Sequence, residues 1–403
     1  MNHPILGQIA LAYSPVIDRN RNVIATRLTV VPLIPDAPLD SADLLPALAE
    51  TWPDGGAQQL WLNVVSENLL HDLLQIQIPQ HVYIEVPAFM AVDASNSSAL
   101  LGLYDRGNTL LLKGRPLKEL PREVLHCFKH ALIEYSDDRR IRAGERDQAS
   151  TAPDGTIRHI SYVQTGVTNI DQMEVSFRKG AVAVLGWPID NVIDGASKPA
   201  DQPSLQIIVR LIDQLHREEE IDSLENTLKR DPPLAFKLMR YINSPAFGLS
   251  VEISSFRHAI MILGYQRLKR WLALLLATAS KDPNMRPVMF AAVRRGLLME
   301  ELAKISGDDE MRNELFICGV FSLLDRMFRQ PFSELLKSIP VPERVFQALA
   351  EHTGPYKPYF DLVLAVEAGI GYDIKDAADR LLLNFSDLNN AILRSMHNAA
   401  QLD

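Results

Sequence analysis

Along the first half of the chain, apolar residues fall into short runs divided by polar or helix-spaced stretches, the order expected of an α/β domain. The runs Ile9–Ser14, Val23–Val31, Leu60–Val65, Val82–Val86, Thr109–Lys113, Ala131–Tyr135, Ile157–Thr165 and Val182–Leu185 read as strands. That number suits a barrel. Between them, Ala42–Thr51, Glu67–Leu74 and Asp171–Lys179 space their apolar residues as helices do. From Asp137 to Gly155 large apolar residues almost vanish, and Arg139, Arg140, Arg142 and Arg146 sit among acidic neighbours, so a solvated excursion is expected there.

After Trp187-Pro188 the pattern changes. Asp190–Pro203 is rich in Asp, Gly, Ser and Pro, and beyond it nearly every segment has the helical period. Leu205, Ile208, Val209, Ile212 and Leu215 make one stripe, and Ile221, Leu224 and Leu228 begin another. Asp231, followed by Pro232-Pro233, is an N-cap candidate for a helix over Leu234–Ile242, which Asn243 to Gly248 ends as a turn. A helix from Ser254 or Ser255 is interrupted at Gly264 and resumes over Gln266–Ala279. Helical spacing continues through Val288–Ile305, Glu310–Phe328, Val341–Glu351, Phe360–Glu367, Ile374–Phe385 and Leu388–Ala399. The predicted organisation is an α/β domain over 1–192, a linker over 193–203 and an all-α domain over 204–403.

Composition narrows the function classes. At 403 residues, two cores are the natural expectation, and 47% hydrophobic with 23% charged residues is ordinary for a globular protein. A net charge of -9 counts against a general nucleic-acid binder, since such affinity rests on Lys and Arg neutralising phosphates. Cys127 and Cys318 are far apart and form neither a disulfide framework nor a CxxC motif, which fits a reducing cytoplasm. The start of the chain lacks a basic region before its apolar residues, so no signal peptide is expected, and Trp271–Ala279 is too short to cross a bilayer.

Several local clusters invite chemistry. His126 and His130 stand four apart beside Cys127, but further zinc ligands are missing. His258 reads as a core or boundary histidine. Arg257, Arg267, Lys269 and Arg270 near Trp271 read as a solvated helix face with snorkelling side chains rather than a nucleic-acid surface. There is no GxxxxGK[ST], GxSxG or HExxH motif.

Larger patterns carry more. Tyr13–Asp18, then Val23–Val31, Leu60–Val65 with Asn63, and Val82–Pro87 with Glu85 resemble in sequence the opening strands of the EAL family of cyclic di-GMP phosphodiesterases. The resemblance covers roughly residues 7–190 and implies a modified (β/α) TIM-like barrel with metal ligands at its strand ends. Arg27 stands where that family has its metal-binding Glu. Asn63 and Glu85 match family positions. Leu111-Leu112-Lys113-Gly114 replaces a stretch bearing paired Asp residues, and Glu134 keeps a carboxylate where a lysine nearby is lost. Thr168 replaces a Glu, Leu185 replaces a Gln, and Thr29-Val30-Val31 replaces a substrate-contacting Leu-Arg.

The span Asp231-Pro232, Asn243-Ser244-Pro245-Ala246-Phe247-Gly248 and Ala259–Gly264 resembles the HDOD domain, a helical relative of the HD phosphohydrolases that lacks their metal centre. Cys318–Leu323 occupies the place of the HD enzymes' His-Asp pair, so Ser322 and Leu323 stand where ligands would be. Arg294 falls near an upstream family His, leaving His352 and Asp325 as isolated remnants.

Metal-assisted phosphodiester hydrolysis needs divalent cations held by several carboxylates, and Arg27 and Lys113 put fixed positive charge there instead. The expectation is therefore a non-catalytic bacterial signalling protein without metal or cofactor, acting on a protein partner through the helical domain. Glu85 is expected to serve packing and hydrogen bonding, paired with Arg27. Alternatives are a receptor that binds cyclic di-GMP through Arg27 and Lys113 without cleaving it, a residual phosphodiesterase, and a nucleic-acid-associated regulator. The sequence leaves the partner and oligomeric state open.

Overall fold

A computed structural model describes residues 3–35, 37–49, 59–138, 160–190, 203–231, 234, 256–278, 282–304, 307–328 and 330–400. Eight strands close into a barrel in sequence order: β1 (Ile9–Asp18), β2 (Val23–Pro32), β3 (Gln59–Val64), β4 (Val82–Pro87), β5 (Leu110–Lys113), β6 (Phe128–Glu134), β7 (Ser161–Asn169) and β8 (Ala183–Asp190). Each overlaps an expected strand. β1 runs antiparallel to both neighbours, and every other pair is parallel. The reason lies in the connection, because residues 19–22 are too few for a crossover and suffice only for a hairpin. Arg21 takes the left-handed conformation its turn requires.

Alternation along the strands sorts the side chains. Val16, Ala25, Trp61, Tyr83, Leu111, Leu132, Val163 and Leu185, one from each strand, fill the barrel interior. Their neighbours Ile17, Ile133, Tyr162 and Val184 point outward, where Met173 and Phe177 of an outer helix cover them.

The helices around the barrel are α1 (Ser41–Ala49), α2 (Glu67–Leu73), α3 (Ala88–Val92), α4 (Ser97–Asp105) and α5 (Ile170–Arg178). Ser66 and Asn169 cap α2 and α5 by accepting from Leu69 N and Gln172 N at 3.3 and 2.9 Å. The pattern did not foretell α3 and α4, which are too short to show a full helical stripe.

Beyond the barrel the chain is helical: α6 (Pro203–His216), α7 (Ile221–Leu228), α8 (Phe256–Thr278), α9 (Arg286–Ala303), α10 (Asp309–Phe321), α11 (Leu324–Phe328), α12 (Phe332–Ser338) and α13 (Glu343–Phe346). There follow α14 (Lys357–Ala368), α15 (Gly371–Arg380) and α16 (Phe385–Ala400). Gly264 breaks α8 with φ 73 and ψ 167. Three expected helices are shorter than their pattern. Glu310–Phe328 divides between α10 and α11, and Val341–Glu351 changes to a π turn after α13 and stops at left-handed His352. α15 ends before left-handed Leu382. Packing of α9 on α10 is very close, because a Cβ on Gly319 would lie 2.5 Å from the Gly296 nitrogen.

The chain divides into two compact units, 1–191 with 364–394 and 192–363 with 395–403. The sequence pattern places 364–394 in the helical domain, whereas these residues pack with the barrel. A buried side chain accounts for it. Asn389 Oδ1 accepts from Leu11 N at 3.0 Å, and its Nδ2 donates to Leu6 O and Ile9 O at 2.7 and 2.8 Å. The residues expected as excursion (Arg139, Arg140, Arg142, Arg146) and linker (193–202) lie outside the described residues.

Candidate functional site

The site follows from the barrel's alternation. Arg27, Asn63, Glu85, Lys113, Glu134 and Thr165 each stand two positions beyond an interior residue (Ala25, Trp61, Tyr83, Leu111, Leu132 and Val163). A step of two returns a side chain to the same face, so these residues point inward at the strands' C-terminal ends. All of them but Glu85 line a cavity of about 390 Å³ there, with Ser14 and Thr29 on its wall and Glu367, Ala368 and Gly369 contributing from the end of α14.

Arg27, Glu85, Lys113 and Glu134 each have a hydrogen-bond partner in this mouth. Arg27 Nε and Nη2 donate to Glu85 Oε1 and Oε2 at 2.7 and 2.6 Å, a bidentate fork about a carboxylate side chain with 0% exposure. Lys113 Nζ donates to Asn63 Oδ1 at 2.8 Å, and Asn63 Nδ2 donates to Thr29 Oγ1 at 3.2 Å. Burial pushes the Lys113 ammonium below its usual range, against the opposing pull of Glu85 and with a smaller push from Arg27. Thr165 Oγ1 donates to Glu134 Oε2 at 2.7 Å. The Glu134 carboxylate lies so close over Gly166 that a Cβ there would sit 1.6 Å from Oε1.

These side chains do not fit a divalent cation. Both Glu85 oxygens are occupied by the guanidinium and the Asn63 oxygen by the ammonium, while such an ion needs several free oxygens at one point. Among the described residues no three His, Cys, Asp or Glu side chains gather as a metal-binding group.

Two sequence-derived positions stand away from the mouth. Thr168 is exposed, its N and Oγ1 donating to Gln172 Oε1 at 2.9 and 3.3 Å at the start of α5. The register shift in β7 between Gln164 and Val167 carries it off the inward face. Leu185 is 3% exposed and packs in the interior layer. Sequence reasoning passed over Thr165 and Ser14, although the two-residue step from Val163 signals the former; Glu367 carried no local signal.

In the second unit, Asp231 Oδ1 accepts from Leu234 N at 3.0 Å, the capping contact its motif predicts. Pro232, Asn243, Ser244 and Phe247 lie outside the described residues. Arg294 is 1% exposed, donates to Met396 O at 3.2 Å and stacks on Phe290. Arg295 Nη1 donates to Ser322 Oγ at 3.2 Å, and Ser322 donates to Gly319 O at 2.7 Å. Leu323 is buried, and His352 is exposed on its left-handed turn. Burial pushes the Asp325 carboxyl up, opposed by its own turn, Arg326 and Arg295. Arg294 and Arg295 are thus both buried here, and among the described residues no three His, Cys, Asp or Glu side chains gather as a metal-binding group.

The remaining clusters resolve into packing. His126 sets its ring against Tyr104 at 4.9 Å, and His130 Nδ1 meets Ser161 Oγ at 2.7 Å. Burial and then Lys129 push the His130 imidazole below its usual range. His258 is partly buried. Arg257 pairs with Asp222, while Arg270 is no solvated snorkelling side chain: it forks onto Glu300 at 2.9 and 2.6 Å and covers the Phe316 ring at 4.2 Å. Tertiary contact with α9 and α10 overrides what its own helix suggests.

Residues 203–329 match the HDOD domain family. The chain is 27% identical over 185 residues to the cyclic di-GMP phosphodiesterase CdgJ of Vibrio cholerae serotype O1, covering 42% of this chain and 43% of that one. It is 27% identical over 162 residues to YuxH of Bacillus subtilis strain 168, covering 39% of each. The matches thus span less than half the length of these curated relatives. Among solved structures, the EAL domain of DcpA from Mycobacterium smegmatis aligns with a TM-score of 0.32 and 19% identity, over 44% of this chain and 90% of that one.

Proposed function

From a chain that carries an HDOD domain behind a closed EAL-like barrel, and so belongs with the EAL–HDOD proteins linked to cyclic di-GMP signalling, we propose a regulator that does not hydrolyse the nucleotide and acts through protein–protein contact of its HDOD domain. The observation that carries the non-catalytic part is the Arg27–Glu85 fork. A guanidinium holds the carboxylate that hydrolysis would need for a cation, and Lys113 holds the neighbouring amide oxygen. For the same reason neither metal nor cofactor is part of the proposal. We propose a bacterial cytoplasm as its location, on the strength of two cysteines far apart in sequence and without a CxxC motif; separately, no described helix is long and apolar enough to cross a membrane.

Incubating the intact chain with cyclic di-GMP and Mn²⁺ or Mg²⁺ tests it. No linear product is expected, and turnover would overturn the reading. A second reading, binding without cleavage, is favoured by Lys113, whose ammonium faces the cavity with an amide rather than a carboxylate as its partner. Calorimetry under the same conditions selects it if heat of binding appears without product. For the HDOD part, cross-linking of the intact chain to a captured partner is expected to mark residues 203–363; cross-links confined to the barrel would sink that assignment.

A further inference from the structure

The barrel's mouth is lined partly by residues that are not of the barrel. Glu367, Ala368 and Gly369, at the end of α14, border the same cavity as Arg27 and Lys113. The contact is built at several points. Trp187 Nε1 donates to Glu367 O at 3.2 Å, and the Trp187 ring meets Tyr13 edge-on at 5.7 Å. A Cβ on Gly369 would touch the Ala12 Cβ at 3.6 Å, and one on Gly371 would come within 2.8 Å of Val31 Cγ1. Gly369 has φ +74, a left-handed turn that lets the chain leave α14 over the mouth at no Cβ cost. Asn389 fastens the segment's far end to β1.

We propose that residues 367–371 form a built-in plug over the barrel mouth, and that a nucleotide-sized molecule reaches Arg27 and Lys113 only when the plug lifts. What remains beneath it, about 390 Å³, lies at the lower end of cavities that hold drug-sized ligands, and Glu367, Ala368 and Gly369 of the plug form part of its lining. The proposal goes beyond the non-catalytic reading and does not depend on it, since a plug governs access whether the site cleaves, binds or does neither.

The experiment therefore measures access rather than turnover. Ser14→Cys places a thiol on the cavity wall, and a bulky fluorescein maleimide reports how often that wall is reached in the full chain. Slow labelling in the otherwise unaltered protein is expected, rising about fivefold when Trp187→Phe removes one hydrogen bond from the plug. Labelling at the rate of an exposed thiol before that change would overturn the proposal, as would a rate that Trp187→Phe leaves unmoved. A second variant guards against misfolding. Val31→Cys with Gly371→Cys sets two thiols within disulfide reach, since a Cβ on Gly371 would lie 3.7 Å from the Val31 Cβ, and mild oxidation of the full chain is expected to join them. Failure of the pair to join in a protein whose circular dichroism is native would also overturn it.

Discussion

Asn389→Ala is the sharpest probe of how the barrel unit is held together. The side chain has 0% exposure and uses both its amide hydrogens and its oxygen on backbone: it accepts from Leu11 N and donates to Leu6 O and Ile9 O. Three bonds at about 1 kcal/mol net each give about 3 kcal/mol. The backbone groups left behind remain buried, so a total of about 3–5 kcal/mol is expected. Asn389→Asp should be worse despite its matching shape, because an oxygen would face two carbonyl oxygens at the 2.7 and 2.8 Å positions. Amide exchange of residues 9–18 in the intact chain, read by mass spectrometry across a urea series, reports the loss where it occurs. A cost below about 1 kcal/mol, or an Asp variant as stable as the parent, would refute the reasoning. The same geometry predicts that a chain cut at residue 203 yields a barrel without its 364–394 segment, prone to aggregate.

Arg27→Leu leaves the Glu85 carboxylate buried with its guanidinium gone, at an expected cost of about 3–5 kcal/mol by urea unfolding; Arg27→Met with Glu85→Leu should recover most of it. Lys113 is half-buried with its pKa pushed below 10.5 by desolvation, so its charged form opposes folding at neutral pH and that opposition fades as pH rises toward 10.5. The stability of Lys113→Met relative to the parent should therefore fall as pH rises through that window, which a urea series between pH 7 and pH 10.5 checks. Gly319→Ala would drive a Cβ to within 2.6 Å of Arg295 backbone atoms, and loss of cooperative unfolding in the helical unit is expected by calorimetry. Cys318, its thiol pushed up to about 12 by burial, should react with Ellman's reagent only after denaturation.

Much of the architecture is local and therefore legible. Eight apolar runs and the helical period after Pro203 depend on residues close in sequence, and among the described residues they have their counterparts in the structure. The site was partly legible for the same reason. Arg27, Asn63, Glu85 and Lys113 sit at strand ends, and strand alternation alone turns them to one face. Thr168 escaped this logic because a bulge in β7 shifts the phase, which no single-strand pattern discloses. Arg270 escaped because Glu300 and Phe316 arrive from other helices.

By itself, then, the sequence determined the strand and helix periods and the presence of Arg27 and Lys113 at strand ends. The tertiary structure gave the expected Arg27–Glu85 pairing its bidentate geometry, and it alone decided that Lys113 turns to Asn63 and that residues 364–394 close on the barrel rather than on the helices before them. The physical reason is range. Periodicity records which face of an element is apolar, whereas Asn389 reaching Leu11 across 378 residues, or Trp187 reaching Glu367 across 180, is a hydrogen bond whose geometry exists only once the barrel has closed.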